Sequence, residues 1–155
     1  MHTSLRPRRG RRRFKELVEY GYFTDIKLYR VVPGFITQWG IPGNPADYQK
    51  FGENKIKDDP VRQSNLSGTV SFATSGPDCR GSQIFVNVGD NDGLDEQGFA
   101  PIGRLTSPDM VQAFASCHDC SSYVKLDQSQ AKQVGNAYFN DKAPKLSCIK
   151  SASIV

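Results

Sequence analysis

Residues 28–40, LYRVVPGFITQWG, combine a guanidinium, a primary amide and a cluster of apolar side chains within thirteen positions. Arg30 stands inside a run of strand formers, and Pro33-Gly34 interrupts that run before Phe35, Ile36, Gln38 and Trp39. An arginine in apolar surroundings needs partners. It is either a structural arginine bonded to a carbonyl or carboxylate, or a donor aimed at something the protein binds. Other chemistry is poorly provided for. His2 and His118 are the two histidines, and neither has a context that would activate a nucleophile. Asp58-Asp59 precede Pro60 and fit a turn. Gly89-Asp90-Asn91-Asp92-Gly93 has neither the lysine of a phosphate loop nor the first aspartate of a calcium loop, whose place falls on Val88 or Gly93. Cys117-His118-Asp119-Cys120 is half of a zinc pattern, while Cys79 and Cys148 stand alone, so free loop thiols are expected, with one disulfide feasible under oxidising conditions. What remains is one arginine, several amides and an aromatic-rich apolar cluster. That set suits binding a peptide or sugar, or a reaction that needs no proton relay.

The elements that must position these groups are those of a single turn-rich domain. The chain has 155 residues, enough for one substantial core, and Gly and Pro together supply 23 of them. No apolar run approaches a membrane span, the N-terminus lacks the apolar core of a secretory signal, and the sequence names no compartment. The net charge of +4 is uneven: residues 6–13, RPRRGRRR, hold six of the 20 basic residues, leaving 14 basic against 16 acidic elsewhere. With no aromatic interleaved in that run, a nucleic-acid partner is not expected.

Phe14, Leu17 and Val18 share one helical face, and Gly21 is placed to end that helix. Residues 40–68 form a long excursion rich in Gly, Pro, Asn and Asp. Residues 69–74, TVSFAT, and 83–88, QIFVNV, predict strands; Ile84, Val86 and Val88 make a core face, and Gln83, Phe85 and Asn87 a face suited to binding. Residues 99–105 predict another strand, and Thr106-Ser107-Pro108-Asp109 a helix start ahead of Met110, Val111 and Phe114. Residues 116–136 are polar and predict loop, and KLSCIKSASIV a last strand. This order indicates a mainly β protein, an antiparallel sheet or barrel with two capping helices.

The stretches YRVVPGFITQWG, GTVSFATSGP, GSQIFVNV and LDEQGFAPIGRL, in this order and spacing, resemble the cyclophilin family of peptidyl-prolyl cis-trans isomerases, with the likeness running from about Phe14 to Val155. The resemblance implies an antiparallel β-barrel of eight strands closed by two helices, acting on proline-containing peptides and client proteins without metal or cofactor, as a monomer. Arg30 falls on the family's catalytic arginine, with Phe35 and Gln38 beside it in the catalytic set. Ile36, Phe85 and Leu94, together with Phe35, would line the proline pocket, Ile36 replacing a frequent methionine. Ala73, Thr74 and Gln83 fall on peptide-binding positions, Thr74 where asparagine is common.

Three departures qualify the resemblance. Gly93 stands where the family often has tryptophan, which implies weak cyclosporin binding, and Gly98 stands in the place of a histidine. Family members also begin with a β-hairpin before the first helix, where this chain has MHTSLRPRRGRRR. The resemblance therefore implies an Arg-rich disordered tail over residues 1–13 and an N-terminally truncated domain over 14–155, whose barrel is incomplete and leaves Ile84, Val86, Val88 or their neighbours partly uncovered. An active isomerase is the expected function. A non-catalytic proline-peptide reader, a lectin-like domain or an inactive fragment are the alternatives.

Overall fold

The computed structural model describes residues 8–155. Helix α1 spans Arg9–Tyr20 and is followed by strands β1 (Ile26–Lys27), β2 (Arg30–Val32) and β3 (Ile36–Trp39). A short helix α2 (Pro45–Asp47) runs into a π-helical turn, Tyr48–Gly52. Strands β4 (Thr69–Phe72), β5 (Ile84–Asn87) and β6 (Pro101–Arg104) complete the main sheet. Helices α3 (Pro108–Ala115), α4 (Gln128–Val134) and α5 (Asn136–Lys142) precede the last strand, β7 (Cys148–Ile149). The five-stranded sheet has the order β2-β3-β5-β4-β6 and is antiparallel throughout, while β1 pairs with β7 in a separate ribbon.

The β2–β3 hairpin is shaped by its turn. Phe35 N–H donates to the Val32 carbonyl at 3.0 Å, and Gly34 adopts φ 71°, which a side chain would oppose. Register then follows: Arg30 lies opposite Gln38, and Gln38 opposite Phe85. Cross-strand neighbours project to the same face of a sheet. The turn chemistry thus puts a guanidinium, an amide and an aromatic ring in one row.

Helix α1 closes as its sequence predicts. Gly21, at φ 83°, donates to Val18 O and Tyr22 to Leu17 O, the paired bonds of a Schellman end. Its start differs from expectation. Residues 9–13 are helix rather than disordered tail, and the part of that tail at residues 1–7 lies outside the described residues. The physical reason is a set of long-range partners. Asp59 accepts the N–H groups of Arg9 at 3.1 Å and Gly10 at 2.8 Å, supplying the anion that the helix start lacks in its own sequence. Arg11 donates through Nε to the carbonyl of Ile102 on the outer strand β6. Arg13 is only 5% exposed, and its Nη1 reaches the carbonyls of Phe51, Asn54 and Gly81.

A second expectation is corrected for two of the three side chains it named. Ile84 and Val86 are fully buried, in one cluster with Leu17 and Val18 of α1, Phe72 and Ile102, and Val88 packs half-buried against it. At about 1.5–3 kcal/mol for each large apolar side chain, this cluster is the main store of stability. A second cluster holds Tyr29, Ile41, Cys120, Ala131, Phe139 and Leu146. It explains why the end of the segment expected to be loop at 116–136 is ordered as α4, and why α5 follows it, while residues 116–127 are turns and loop as expected. Asp127 caps α4 by accepting from the N–H of Gln130. The final strand is shorter than KLSCIKSASIV implies, pairing only at Cys148 and Ile149. Among the described residues, no helix is long and apolar enough to cross a membrane.

Candidate active site

The row Arg30–Gln38–Phe85 opens into a cavity of about 360 Å³. All nine residues expected at the site line it: Arg30, Phe35, Ile36, Gln38, Ala73, Thr74, Gln83, Phe85 and Leu94. Strands β2, β3 and β5 supply the central row, the ends of the β4–β5 connection supply Ala73, Thr74 and Gln83, and the loop after β5 supplies Leu94. Ile36 and Phe85 are buried, Phe35 and Leu94 half-buried, and Phe99 meets Phe85 edge-on with ring centroids 5.7 Å apart. The result is an apolar recess beside a polar row.

Arg30 is exposed at this cavity, and its Nη1 donates to Gln38 Oε1 at 3.1 Å. The orientation of the Gln38 amide is set by two further bonds. Its Nε2 donates to Tyr29 Oη at 2.7 Å and to Gln83 Oε1 at 3.0 Å, so both of its protons are committed and its oxygen must face Arg30. Tyr29 in turn donates to Gln83 Oε1. Burial pushes the Tyr29 phenol up, against the smaller opposing influence of the Arg30 charge, so it stays a donor at neutral pH. The guanidinium is held on one side by an amide, and its other donors have no partner among the described residues.

The loop carrying Leu94 is fixed by a partly buried polar network. Asp95 accepts from the Asn65 N–H at 2.9 Å, from Asn65 Nδ2 at 2.7 Å and from Ser64 Oγ at 2.5 Å. Asn65 Nδ2 also bonds the Phe99 carbonyl, and Asn91 Nδ2 bonds the Phe35 carbonyl at 2.9 Å and Asn87 Oδ1 at 2.8 Å. Asn87, expected on a binding face, is fully buried in this network and donates to Thr69 Oγ1 and Asn65 Oδ1. It positions the pocket wall rather than lining the pocket. Gly93 and Gly98 are exposed, with open space where a side chain would project.

Sequence reasoning missed several lining residues: Tyr48, Lys55, Ser75, Cys79, Phe99, Gln128 and Lys132. Phe99 lies within the LDEQGFAPIGRL stretch, so a signal for it existed. Tyr48 and Lys132, whose ammonium sits 5.2 Å from the Tyr48 ring centroid, come from stretches that looked like surface excursion and loop. The four cysteines are free thiols, and Cys79 is the one at this cavity.

The fold and this site define a protein of the cyclophilin type, and comparison with known proteins agrees. Residues 8–134 match the family profile "Cyclophilin type peptidyl-prolyl cis-trans isomerase/CLD", and the chain belongs to that family. It is 31% identical over 153 residues to peptidyl-prolyl cis-trans isomerase A of Dickeya dadantii, covering 92% of this chain and 70% of that protein. It is also 32% identical over 89 residues to peptidyl-prolyl cis-trans isomerase-like 1 of Aspergillus fumigatus, covering 54% of each. A third relative, peptidyl-prolyl cis-trans isomerase-like 3 of Neurospora crassa, is 30% identical over 112 residues, 66% of this chain and 65% of that one. The chain thus spans about half to two thirds of the length of the last two relatives. Among solved structures, a cyclophilin-type isomerase of Cryptosporidium parvum, crystallised in the presence of the dipeptide Ala-Pro, has a TM-score of 0.57 at 22% identity, over 75% of this chain and 77% of that one. A cyclophilin of Hirschia baltica has a TM-score of 0.52 at 18% identity, over 70% and 58% of the two chains. These likenesses establish the cyclophilin fold, a mainly antiparallel β architecture with packed helices.

Proposed function

We propose that this protein is a peptidyl-prolyl cis-trans isomerase that acts on proline-containing peptides and client proteins, with Arg30 stabilising the twisted amide. The observation that carries the proposal is the row in which Arg30, oriented by Gln38, borders an apolar recess lined by Phe35, Ile36, Phe85 and Leu94. The recess is suited to a pyrrolidine ring, and Ala73, Thr74 and Gln83 extend the cavity along the peptide.

The chemistry needs little else. Rotation about an amide costs about 18–20 kcal/mol because conjugation is lost. Twisting returns a lone pair to the prolyl nitrogen, and a guanidinium N–H can donate to it. The planar amide nitrogen is no acceptor, so this bond strengthens only on the way to the transition state, which is the condition for catalysis. No covalent bond breaks and no proton moves. The recess holds the ring while the preceding carbonyl swings.

Arg30→Ala is the direct test, read as isomerisation of a proline tetrapeptide alongside thermal unfolding. The expected outcome is a loss of more than tenfold in kcat/KM with an unchanged melting temperature, a tenfold loss corresponding to about 1.4 kcal/mol of transition-state stabilisation. Activity within about threefold of the parent would remove Arg30 from the mechanism. Peptide binding without turnover in the parent would point instead to a proline-peptide reader.

A further inference from the structure

On the far side of Arg30 lies a second cavity, of about 500 Å³, between β2 and the segment 119–128. Resting on the isomerase reading above, we propose that it is a subsite for an apolar side chain of the same peptide, on a residue flanking the proline.

Continuity is the first support. Arg30 and Gln128 line both cavities, so a chain passing the guanidinium leaves the proline recess and enters this groove without crossing another element. The lining is the second. Val32 and Pro33 form one wall and Val124 and Leu126 the other, the last two half-buried against the second core cluster and therefore fixed in place. Of the charged groups that line the groove, Asp119 and Lys125 are opposite in sign, and the third, Arg30, is shared with the proline recess. Strand pairing is the third. Among the described residues β2 pairs with β3 alone in its sheet, so its other edge presents backbone donors and acceptors toward an extended segment. An apolar side chain sent into such a groove from a flanking position is discriminated by burial, and pockets of this kind separate large from small apolar groups by about tenfold or more.

The test uses two series of short proline peptides, one varying the residues before proline and one those after it, each comparing Leu and Phe with Gly and Ser. The full chain is assayed for kcat/KM and, in parallel, for binding by calorimetry, which does not depend on turnover. In one series, Leu or Phe is expected to be favoured over Gly by about tenfold. Ser121→Trp, at an exposed position on the rim, should fill the groove and abolish that preference while leaving the Gly peptide unchanged. Leu126→Ala should reduce the preference in the same direction, with thermal unfolding confirming that each variant is folded. Equal treatment of Leu and Gly in both series, a preference that survives Ser121→Trp, or equal affinity for a leucine peptide lacking proline would each overturn the subsite. Failure to isomerise the Gly peptide would strike at the isomerase reading alone, because the affinities still report on the groove.

Discussion

Three arginines show how differently one side chain is used in this chain. Arg13 is spent on backbone carbonyls, and Arg80, only 3% exposed, on Asp59, Asp58 and the Lys57 carbonyl. Arg30 is exposed beside a cavity and bonded to one amide oxygen. Its direction depends on Gln38, whose own direction depends on Tyr29 and Gln83. Gln38→Leu therefore removes the acceptor that aligns the guanidinium while leaving Tyr29 and Gln83 bonded to each other. Turnover of a proline tetrapeptide should fall about tenfold in kcat, with KM changed much less, since the interaction lost is one made in the transition state. An unchanged kcat would mean that Arg30 needs no alignment. Gly93 is a residue-scale prediction of another kind. With open space around it, it offers no indole to a large cyclic peptide, so cyclosporin should bind weakly and Gly93→Trp should tighten binding. Tight binding by the parent in a calorimetric titration would refute this.

At the scale of elements, the start of α1 is the part least legible beforehand. An RGRRR run gives no sign of which arginine is buried, because the carbonyls that receive Arg13 come from residues 51, 54 and 81. The apolar side of the same helix was legible, since Phe14, Leu17, Val18 and Gly21 lie close enough in sequence to show their spacing. The central site row was legible for a different reason. Arg30, Gln38 and Phe85 lie in stretches that resemble the cyclophilin family, whereas Tyr48 and Lys132 lie outside those stretches and reach the cavity only through tertiary packing. Helix α4 was missed because its sequence, QSQAKQV, buries only Ala131 and so shows no apolar stripe. Arg13→Ala tests the anchor of α1. It leaves the buried carbonyls of Phe51 and Gly81 without this donor, at about 1–3 kcal/mol for each unsatisfied group. The melting temperature should drop by about 5–15 °C in a domain of this size. Close packing adds a second check: a Cβ at Gly10 would come 2.7 Å from Ile102 Cγ2, so Gly10→Ala should also destabilise, and an unchanged melting temperature in both variants would show that α1 does not depend on its first turn.

The whole molecule is tied together at two carboxylates, and this makes its stability depend on acid in a defined direction. Asp59 joins the start of α1 to Arg80, and Asp95 joins the loop after β5 to the segment before β4. Burial pushes Asp59 up, but the N–H of Gly10, the Arg80 charge and the N–H of Arg9 outweigh it and hold the carboxyl below its ordinary range. The Ser64 hydroxyl, assisted by Asn65, holds Asp95 low as well. Each folded-state pKa thus lies below the unfolded value of about 3.9. Such a group contributes its stabilisation above the unfolded pKa and loses it as pH falls through the folded one, because the unfolded chain then takes up the proton more readily. The urea midpoint should therefore be nearly level between about pH 7 and 5 as far as these two groups are concerned, and should fall steeply below about pH 4. Asp59→Asn should lower the midpoint at neutral pH, since the amide presents one acceptor oxygen where the carboxylate presents two and carries no charge for Arg80. The same variant should flatten the acid limb, because one of the titrating groups is gone. Asp95→Asn should flatten it independently, as the two sites share no hydrogen-bond partner. An acid limb equally steep in the parent and in both variants would show that other carboxylates hold the fold at low pH.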